Sequence, residues 1–313
     1  MKRKWIRRVS WILLTPVLLF VILMILLYIP PVQNLLRREV TAYASKATGM
    51  QIQVERIDLR FPLNLLVRGV EVIQQPDTLL SLESLNVRVQ AWPLVKGKVE
   101  VDEVTLSQVA FNSANLIEGM KIKGVLGRFF LQSHGVDLSN ELAVINQTEL
   151  SDTHVQMLMN DTTTTPKDTT ASAPVNWKVD LHKLKLKNVS FSMQLPADSM
   201  RMAAHIGEAF INDAQADLKN QFYELKQFLL SGSSANYDTG AAKPGEGFDA
   251  SHIAVRDIRI GLDSLLYKGR DMNAVIREFS MNERSGLSIT SLTGRAFSND
   301  SIIRIPGIKL QTP

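Results

Sequence analysis

The sequence contains no cysteine, and only 7% of its residues are aromatic. Without cysteine the chain can form neither a disulfide framework nor a cysteine-ligated metal site. It also lacks a long basic stretch: five of its 35 basic residues stand in the first eight positions, and residues 9–313 carry 30 basic and 31 acidic side chains. A nearly neutral body, with net charge −1 and no long basic run, argues against nucleic-acid binding, which would need basic residues in a stripe to neutralise phosphates.

Patterns typical of catalysis are missing as well. The five histidines lie at least 20 residues apart, so none forms the close pairs of a zinc hydrolase. The glycine-rich segment 240–247 lacks the Lys-Ser/Thr that follows the second glycine of a phosphate-binding loop, and a flexible turn is the simpler interpretation. The serines of 231–234 lack the Gly-x-Ser-x-Gly pattern of a hydrolase. We therefore expect no enzymatic activity, no cofactor and no metal site.

Residues 9–29 form a run of 21 positions without a charged side chain. As a helix this run would be about 31 Å long, close to the roughly 30 Å hydrocarbon core of a bilayer. Basic residues are denser before the run than after it, so the positive-inside bias predicts one span with a cytoplasmic N terminus. A cleaved signal peptide, with Ala42-Tyr43-Ala44 as its small-residue triplet, is the alternative, but its apolar region would be shorter. We expect residues 1–29 to be a basic tip and a transmembrane anchor.

A short amphipathic helix is predicted over residues 30–49. Pro30-Pro31 ends the apolar run and can open a new helix, and Gly49 is a typical terminator. Between them, apolar residues recur at helical spacing: Val32, Leu35, Leu36, Val40, Ala44 and Ala47. The helix is either a juxtamembrane spacer that packs on the next domain or an element that contacts the lipid surface directly.

From Met50 onward the helical spacing gives way to alternation, and one eight-residue phrase recurs: apolar, x, apolar, x, x, apolar, x, apolar. In a regular strand its first and second apolar pairs would face opposite sides, because side chains alternate. A β-bulge at the x-x step would return all four residues to one face, and a corner between two buried faces is the alternative. The five copies are Ile52-Val54-Ile57-Leu59, Leu80-Leu82-Leu85-Val87, Val99-Val101-Val104-Leu106, Val179-Leu181-Leu184-Leu186 and Ile253-Val255-Ile258-Ile260.

Many short alternating runs, separated by turns such as 75–77 and 96–98, predict a long sheet or barrel. Both interpretations of the phrase require a strongly curved sheet. The x-x residues are polar in all five copies, as a water-facing bulge would require. From this pattern alone, an ordinary β-sandwich and an open apolar groove fit equally well.

Residues 160–175 are rich in threonine and cannot bury apolar surface, so we expect an exposed loop or linker. This loop divides a first β segment, 50–159, from a second, 176–313. Asp-Thr-Thr occurs twice in it and resembles a three-residue pattern of periplasmic O-glycosylation in bacteria. Thr162 and Thr169 are the candidate acceptors, and a linker without sugar is the alternative.

An ordered set of motifs spans residues 1–110. After the basic tip and the uncharged run come Pro31-Val32-Gln33, Thr48-Gly49, Gly69-Val70-Glu71-Val72, Asp77-Thr78-Leu79-Leu80, Leu85-Asn86-Val87 and the segment 94–106, LVKGKVEVDEVTL. In this order the motifs resemble the N-terminal part of the AsmA-like family, especially its TamB branch. Beyond residue 110 only the strand pattern continues.

The resemblance implies a single-pass inner-membrane protein of a Gram-negative bacterium, with its bulk in the periplasm. Its fold would be mainly β, with an N-terminal transmembrane helix and a short amphipathic helix before a long curved antiparallel sheet that forms an open, taco-like β-groove. Such proteins are thought to carry phospholipid toward the outer membrane and to serve outer-membrane biogenesis and protein assembly. TamB proteins are far longer, so an outer-membrane partner would require a C-terminal region beyond Pro313.

The resemblance also turns the phrase into a candidate lipid-binding lining. Because the lining is distributed, no single residue is expected to be essential. A contrasting hypothesis is a tethered scaffold that binds outer-membrane protein clients by strand addition at its sheet edges and carries no lipid. The predicted lining comprises Ile52, Val54, Ile57, Leu59, Leu80, Leu82, Leu85, Val87, Val99, Val101, Val104 and Leu106.

Overall fold

The computed structural model describes residues 29–60, 63–90, 93, 100–137, 141–159, 176–240 and 243–313. The predicted anchor, apart from Ile29, lies outside these ranges, as do Val99 and the loop with its two candidate acceptor threonines. Among the described residues, no helix is both long and apolar enough to cross a membrane.

The first described element is helix α1, Pro30–Thr48. Proline is well placed in the first turn of a helix, where a backbone N–H would have no intrahelical partner. Gly49 ends the helix in the left-handed conformation, at φ 71°, and its N–H donates to the carbonyl of Ser45. The helix predicted over residues 30–49 is therefore confirmed.

The described residues after the helix form fifteen strands. The first four are 10 to 13 residues long: β1 Gln51–Arg60, β2 Asn64–Gln74, β3 Asp77–Val89 and β4 Val101–Asn112. The next six have 17 or 18 residues: β5 Met120–Asp137, β6 Leu142–Met159, β7 Lys178–Leu195, β8 Met200–Asp217, β9 Phe222–Asp238 and β10 His252–Lys268. The last five are β11 Asp271–Glu283, β12 Ser288–Ile289, β13 Ser291–Ser298, β14 Ile303–Arg304 and β15 Lys309–Gln311.

The strands form one long mixed sheet that is not closed. Its main path follows the chain from β1 to β11 and continues through β13 to β14, while β12 pairs with β11 and β15 with β13. The predicted antiparallel order is wrong at one place, because β6 and β7 are parallel: Leu142 lies beside Lys178 and Leu158 beside Gln194. A parallel pair needs a connection of a dozen or more residues, and residues 160–177 provide it.

In the described part of the chain, no second layer covers this sheet. The extensive contacts are those between neighbouring strands and between α1 and β1. A sandwich would bury the inner faces of two sheets, so the sandwich interpretation is not supported. Only six apolar residues are buried among those described: Leu79, Leu82, Ala143, Leu195, Ala209 and Ala274.

The recurring phrase marks a place where the alternation of side chains along a strand is interrupted. In β1 both Glu55 and Arg56 are exposed, while the apolar phrase residues on either side of them are half-buried. Opposite Glu55 stands Gly69, whose φ is +58°. A residue outside the β region breaks the two-residue alternation, so the side chains that follow change face.

Interruptions of this kind occupy the same register position on nine neighbouring strands. Because a strand bends where its alternation breaks, such a line is a place where the whole sheet can bend. We call it the first kink row: Glu55, Gly69, Glu83, Gln108, Gly127, Asp152, Asn188, Gly207 and Gly232. Five of these residues have positive φ: Gly69, Gln108, Asp152, Asn188 and Gly232. A second kink row crosses the longer strands at Asn146, His182, Asp213 and Lys226.

The predicted β-bulges occur in only two of the five phrases. On β4, Asp102 and Glu103 together oppose Arg88 of β3, whose guanidinium contacts both carboxylates. On β10 the register shifts between Val255 and Ile258. In the phrases of β1, β3 and β7 the register is unbroken, so the predicted bulge is wrong there. In these places adjacent strands interrupt their side-chain alternation at the same register position and therefore keep their pairing.

Helix α1 covers the free edge of β1. Gln33 Nε2 donates to the carbonyl of Leu59 at 3.2 Å, and Arg37 Nη1 donates to two successive carbonyls of the strand at 2.9 and 3.3 Å. The N–H of Ile52 donates to Ser45 Oγ at 3.0 Å. These partners run in opposite order along the two elements, so α1 lies antiparallel to β1. The helix satisfies backbone groups with which another strand would otherwise pair.

The opposite edge of the sheet is protected in a different way. β14 and β15 contain only two and three residues, and residues 301–313 are exposed throughout. Arg304 and Lys309 place charge on these short strands, and Pro306 lies between them. Short edge strands, charge and proline all discourage pairing with another chain.

Candidate functional site

Pairing across the sheet aligns apolar side chains into continuous rows. The central row joins eleven strands without a polar residue: Ile57, Val67, Leu85, Leu106, Phe129, Leu150, Leu186, Ala209, Leu230, Ile260 and Phe279. The adjacent row is interrupted only by Thr148: Leu59, Leu65, Val87, Val104, Leu131, Thr148, Leu184, Ile211, Phe228, Leu262 and Ile276. Cross-strand neighbours of this kind lie within contact distance of one another.

Two further rows lie on the other side of the first kink row. One contains Val54, Val70, Leu82, Val109, Leu126, Thr153, Val189 and Ile206. The other contains Ile52, Val72, Leu80, Phe111, Gly124, Val155, Phe191, Ala204, Ala235 and Val255. A Cβ at Gly124 would lie 2.5 Å from Phe111 Cζ, so the ring covers this glycine. We call the four rows together the apolar face.

The opposite face of the sheet is more polar, although one of its rows includes Leu66, Phe130, Phe210 and Leu229. One paired row across nine strands contains no apolar residue: Arg56, Arg68, Ser84, Ser107, Arg128, Ser151, Lys187, Glu208 and Ser231. Two aromatic rings on this face lie under cations: Arg128 is 5.7 Å from the centroid of Phe130, and Lys185 is 5.5 Å from the centroid of Phe210. The sheet is therefore amphipathic from β1 to β9.

Eleven of the twelve predicted lining residues are described; ten lie in the four rows of the apolar face, and Val101 lies next to them. They occupy β1, β3 and β4, whose phrases carried the prediction, and Val101 joins the face opposite Val89. Their role in lipid binding stays a prediction.

The prediction missed much of this face. β2 supplies Leu65, Val67, Val70 and Val72, and strands from β5 onward supply most of the remaining members. β2 has the same phrase as its neighbours, so a search that included it would have found its members. β7 and β10 carry phrases too, and their residues Leu184, Leu186, Val255 and Ile260 lie in the rows of the apolar face.

The apolar face is accessible to a ligand. Its residues are mostly half-buried by their neighbours within the sheet, and some are more exposed, such as Phe191 at 37%; Met202 at its border is 39% exposed. Methionines concentrate at one border of this face, where Met157, Met193 and Met202 are successive cross-strand partners. Unbranched thioether side chains adapt readily to ligands of different shape.

Tyrosines mark the opposite border. The rings of Tyr223 and Tyr267 lie 5.9 Å apart, centroid to centroid, and both residues are more than a third exposed. Beside them is an apolar depression of about 200 Å³, whose lining includes Leu181, Ala214 and Leu225. An apolar ring with a polar hydroxyl suits the border between an apolar site and water.

A polar cluster lies on the opposite face, at the second kink row. His182 Nδ1 is 3.2 Å from Asp213 Oδ1, and Lys226 Nζ is 3.7 Å from the other oxygen. The hydrogen bond from His182, followed by the charge of Lys226, lowers the pKa of Asp213. This cluster is a surface ion group. In the described ranges, no three His, Asp or Glu side chains converge as metal ligands would.

Comparisons with known proteins do not identify the chain. No family model matches it, and no curated protein matches it either.

Proposed function

We propose that the chain is an inner-membrane-anchored periplasmic protein that carries phospholipid toward the outer membrane along its apolar face. The observation that carries this proposal is the central row, in which eleven consecutive partners across the sheet are apolar. The resemblance to the AsmA-like family over residues 1–110 supports the same function.

The size of the apolar face suits this role. Eleven strands at about 4.8 Å spacing extend roughly 48 Å, and the eight positions from Ile52 to Leu59 span roughly 23 Å. The projected area is therefore about 1,100 Å², larger than the roughly 300–600 Å² of the largest apolar patch on a typical monomer. One leaflet of a bilayer is about 15 Å thick in its hydrocarbon region, so the face can hold several acyl chains in line.

The kink rows provide a route from a sheet to a groove. They cross the strands and run along the direction in which the strands stack. Bending at both rows would bring the two borders of the apolar face toward each other and enclose acyl chains, while headgroups stay at the opening. We propose that the open sheet is such a groove, with the polar face outside.

The contrasting scaffold hypothesis receives less support. Strand addition needs a sheet edge with free backbone groups. Helix α1 occupies the edge of β1, and β14 and β15 are too short and too charged to offer a good template. Neither edge favours the binding of an extended client.

Site-specific photo-crosslinking in the full chain tests the proposal. A photoreactive phenylalanine analogue is placed at Leu150 on the central row or at Glu149 on the polar face, and the protein is produced in a Gram-negative host. After irradiation, mass spectrometry should find phospholipid adducts at position 150 and few at position 149. Equal adducts at both positions, or none at either, would contradict a lipid-carrying face.

A further inference from the structure

Helix α1 has a second surface, which does not face the sheet. Gln33, Arg37 and Ser45 point toward β1 and hold its edge. On the other side, Leu35 is 57% exposed and Tyr43 is 77% exposed. These two residues are eight apart, so they lie on the same side of the helix, about two turns from each other. Two large apolar side chains, with the exposed carboxylate of Glu39 one turn from each and between them, are thus left in solvent on the surface turned away from the sheet.

The position of α1 in the chain indicates what covers this surface. The uncharged run of 21 residues ends at Ile29, and α1 begins at Pro30. If the run crosses a bilayer, α1 starts at the membrane surface. Tyrosine is enriched at this level of a membrane, and Arg38 and Lys46, both exposed, are suited to reach lipid phosphates.

We propose that α1 lies on the membrane surface, with Leu35 and Tyr43 in the interfacial layer, and that it sets the sheet upright on the membrane. This inference rests on the predicted anchor and deepens the proposed function. An interfacial helix buries its apolar side about 5–10 Å below the headgroups. The side facing β1 then points away from the bilayer.

This placement fixes how lipid enters. Because α1 runs antiparallel along β1, a helix in the membrane plane places β1 in a parallel plane just above it. The other strands stack away from the bilayer, at about 4.8 Å per strand. Every row of the apolar face therefore begins beside the membrane, at Ile52, Val54, Ile57 or Leu59, and leads away from it. The apolar face opens onto the membrane at its β1 end.

The absence of cysteine allows a direct test, because any introduced thiol is unique. The full chain is reconstituted into vesicles of phosphatidylethanolamine and phosphatidylglycerol that contain spin-labelled lipid. A fluorophore is attached to Leu35→Cys, Tyr43→Cys or, as the far control, Ile303→Cys, which lies at the opposite edge and is 76% exposed at the wild-type residue. The label at positions 35 and 43 should be quenched at least three-fold, and the label at 303 should be unaffected.

Each other result overturns part of the inference. An unquenched label at 43 in inserted protein would mean that α1 stands away from the membrane. Quenching at both 43 and 303 would mean that the sheet lies flat on the bilayer, which contradicts the upright arrangement. Lipid crosslinking at Leu150 is measured separately, so a failed docking surface is distinguishable from a failed lipid face. A variant with Leu35→Glu and Tyr43→Glu should lose quenching at a label on Ala47→Cys while its α1 stays helical.

Discussion

The first four strands and the long central strands both present one apolar face, but they differ in length. β1 to β4 have 10 to 13 residues and cross one kink row, whereas β7 to β9 have 17 or 18 residues and cross two. In β7, pairs of exposed residues occur at 182–183 and again at 187–188. In the longer strands a second interruption of the side-chain alternation keeps the same face apolar. The proposed groove would therefore be shallow at β1 to β4, which we call the shallow region, and deeper at β7 to β9, which we call the deep region.

The largest expected effect comes from charge in the shallow region. Leu82→Glu combined with Val101→Glu places two carboxylates on the apolar face near its β1 end, where acyl chains would have to pass charged groups. If lipid enters from that end, crosslinking at Leu230 in the deep region should fall at least ten-fold. Ser81→Glu combined with Ser107→Glu, on the polar face, is the matched control. Undiminished crosslinking at Leu230 in the folded variant would mean that the two regions fill independently.

A second prediction concerns the glycines of the first kink row. A Cβ at Gly207 in the deep region would lie 2.6 Å from the carbonyl oxygen of Gly232, which is backbone and cannot rotate away. Gly207→Ala should therefore destabilise the fold by about 1–3 kcal/mol, as overpacking does. Denaturant unfolding followed by circular dichroism measures this change.

Gly245→Ala is the matched control for that prediction. Only one atom, Asp249 Oδ2 at 3.9 Å, lies near the position of its Cβ, so the substitution should change stability little. Equal effects at Gly207 and Gly245 would contradict close backbone approach at the kink row.

Gln108 gives a smaller effect of the opposite sign in the shallow region. Its φ of +50° is unfavourable for a residue with a Cβ, by about 1–2 kcal/mol, whereas glycine adopts it freely. Gln108→Gly should raise the free energy of unfolding by up to about 1 kcal/mol, after the greater entropy of the unfolded chain is subtracted. Gln132→Gly, at a strand position without positive φ, should lower it. Destabilisation by both changes would mean that the side chain of Gln108 stabilises the row.

Much of this architecture is readable from the sequence. Helix α1 follows from Pro30 and Gly49, and the phrase reports which residues share a face. The bulge prediction failed in β1, β3 and β7 because a phrase describes one strand only. In a kink row the paired strands interrupt their side-chain alternation at the same register position, so no extra residue is needed. To make that distinction one must know which strands are neighbours in the sheet, including strands that are far apart in the sequence.

The direction of β7 relative to β6 could not be predicted from the sequence either. Parallel and antiparallel neighbours show the same alternation when one face is apolar, so Leu184 and Leu186 fit either arrangement. The apolar face was predicted only on β1, β3 and β4 for a related reason. Rows such as Phe129, Leu150 and Leu186 become continuous only when the register of each pair is known.

The smallest expected effect is acid sensitivity in the loop before β10, outside both kink rows. Backbone N–H groups of Gly245 and Ser251, together with His252, lower the pKa of Asp249 to about 2. Because this value is below the roughly 3.9 of an unfolded Asp, the stabilisation is complete above pH 4 and is lost as the pH falls toward 2. Asp249→Asn should flatten the fall in melting temperature between about pH 4 and 2. An unchanged slope would mean that these hydrogen bonds do not persist.

The most direct test of the central claim is a crosslinking scan along β7, from Leu181 to Val189, where both kink rows cross one strand. With the photoreactive residue placed at each of these nine positions in turn, the account predicts phospholipid adducts at Leu181, Leu184, Leu186 and Val189 and few at the five positions between them. Adducts that alternate strictly at every second residue would contradict the interruptions of alternation at the two kink rows. Equal adducts at all positions, or none, would contradict a lipid-carrying apolar face.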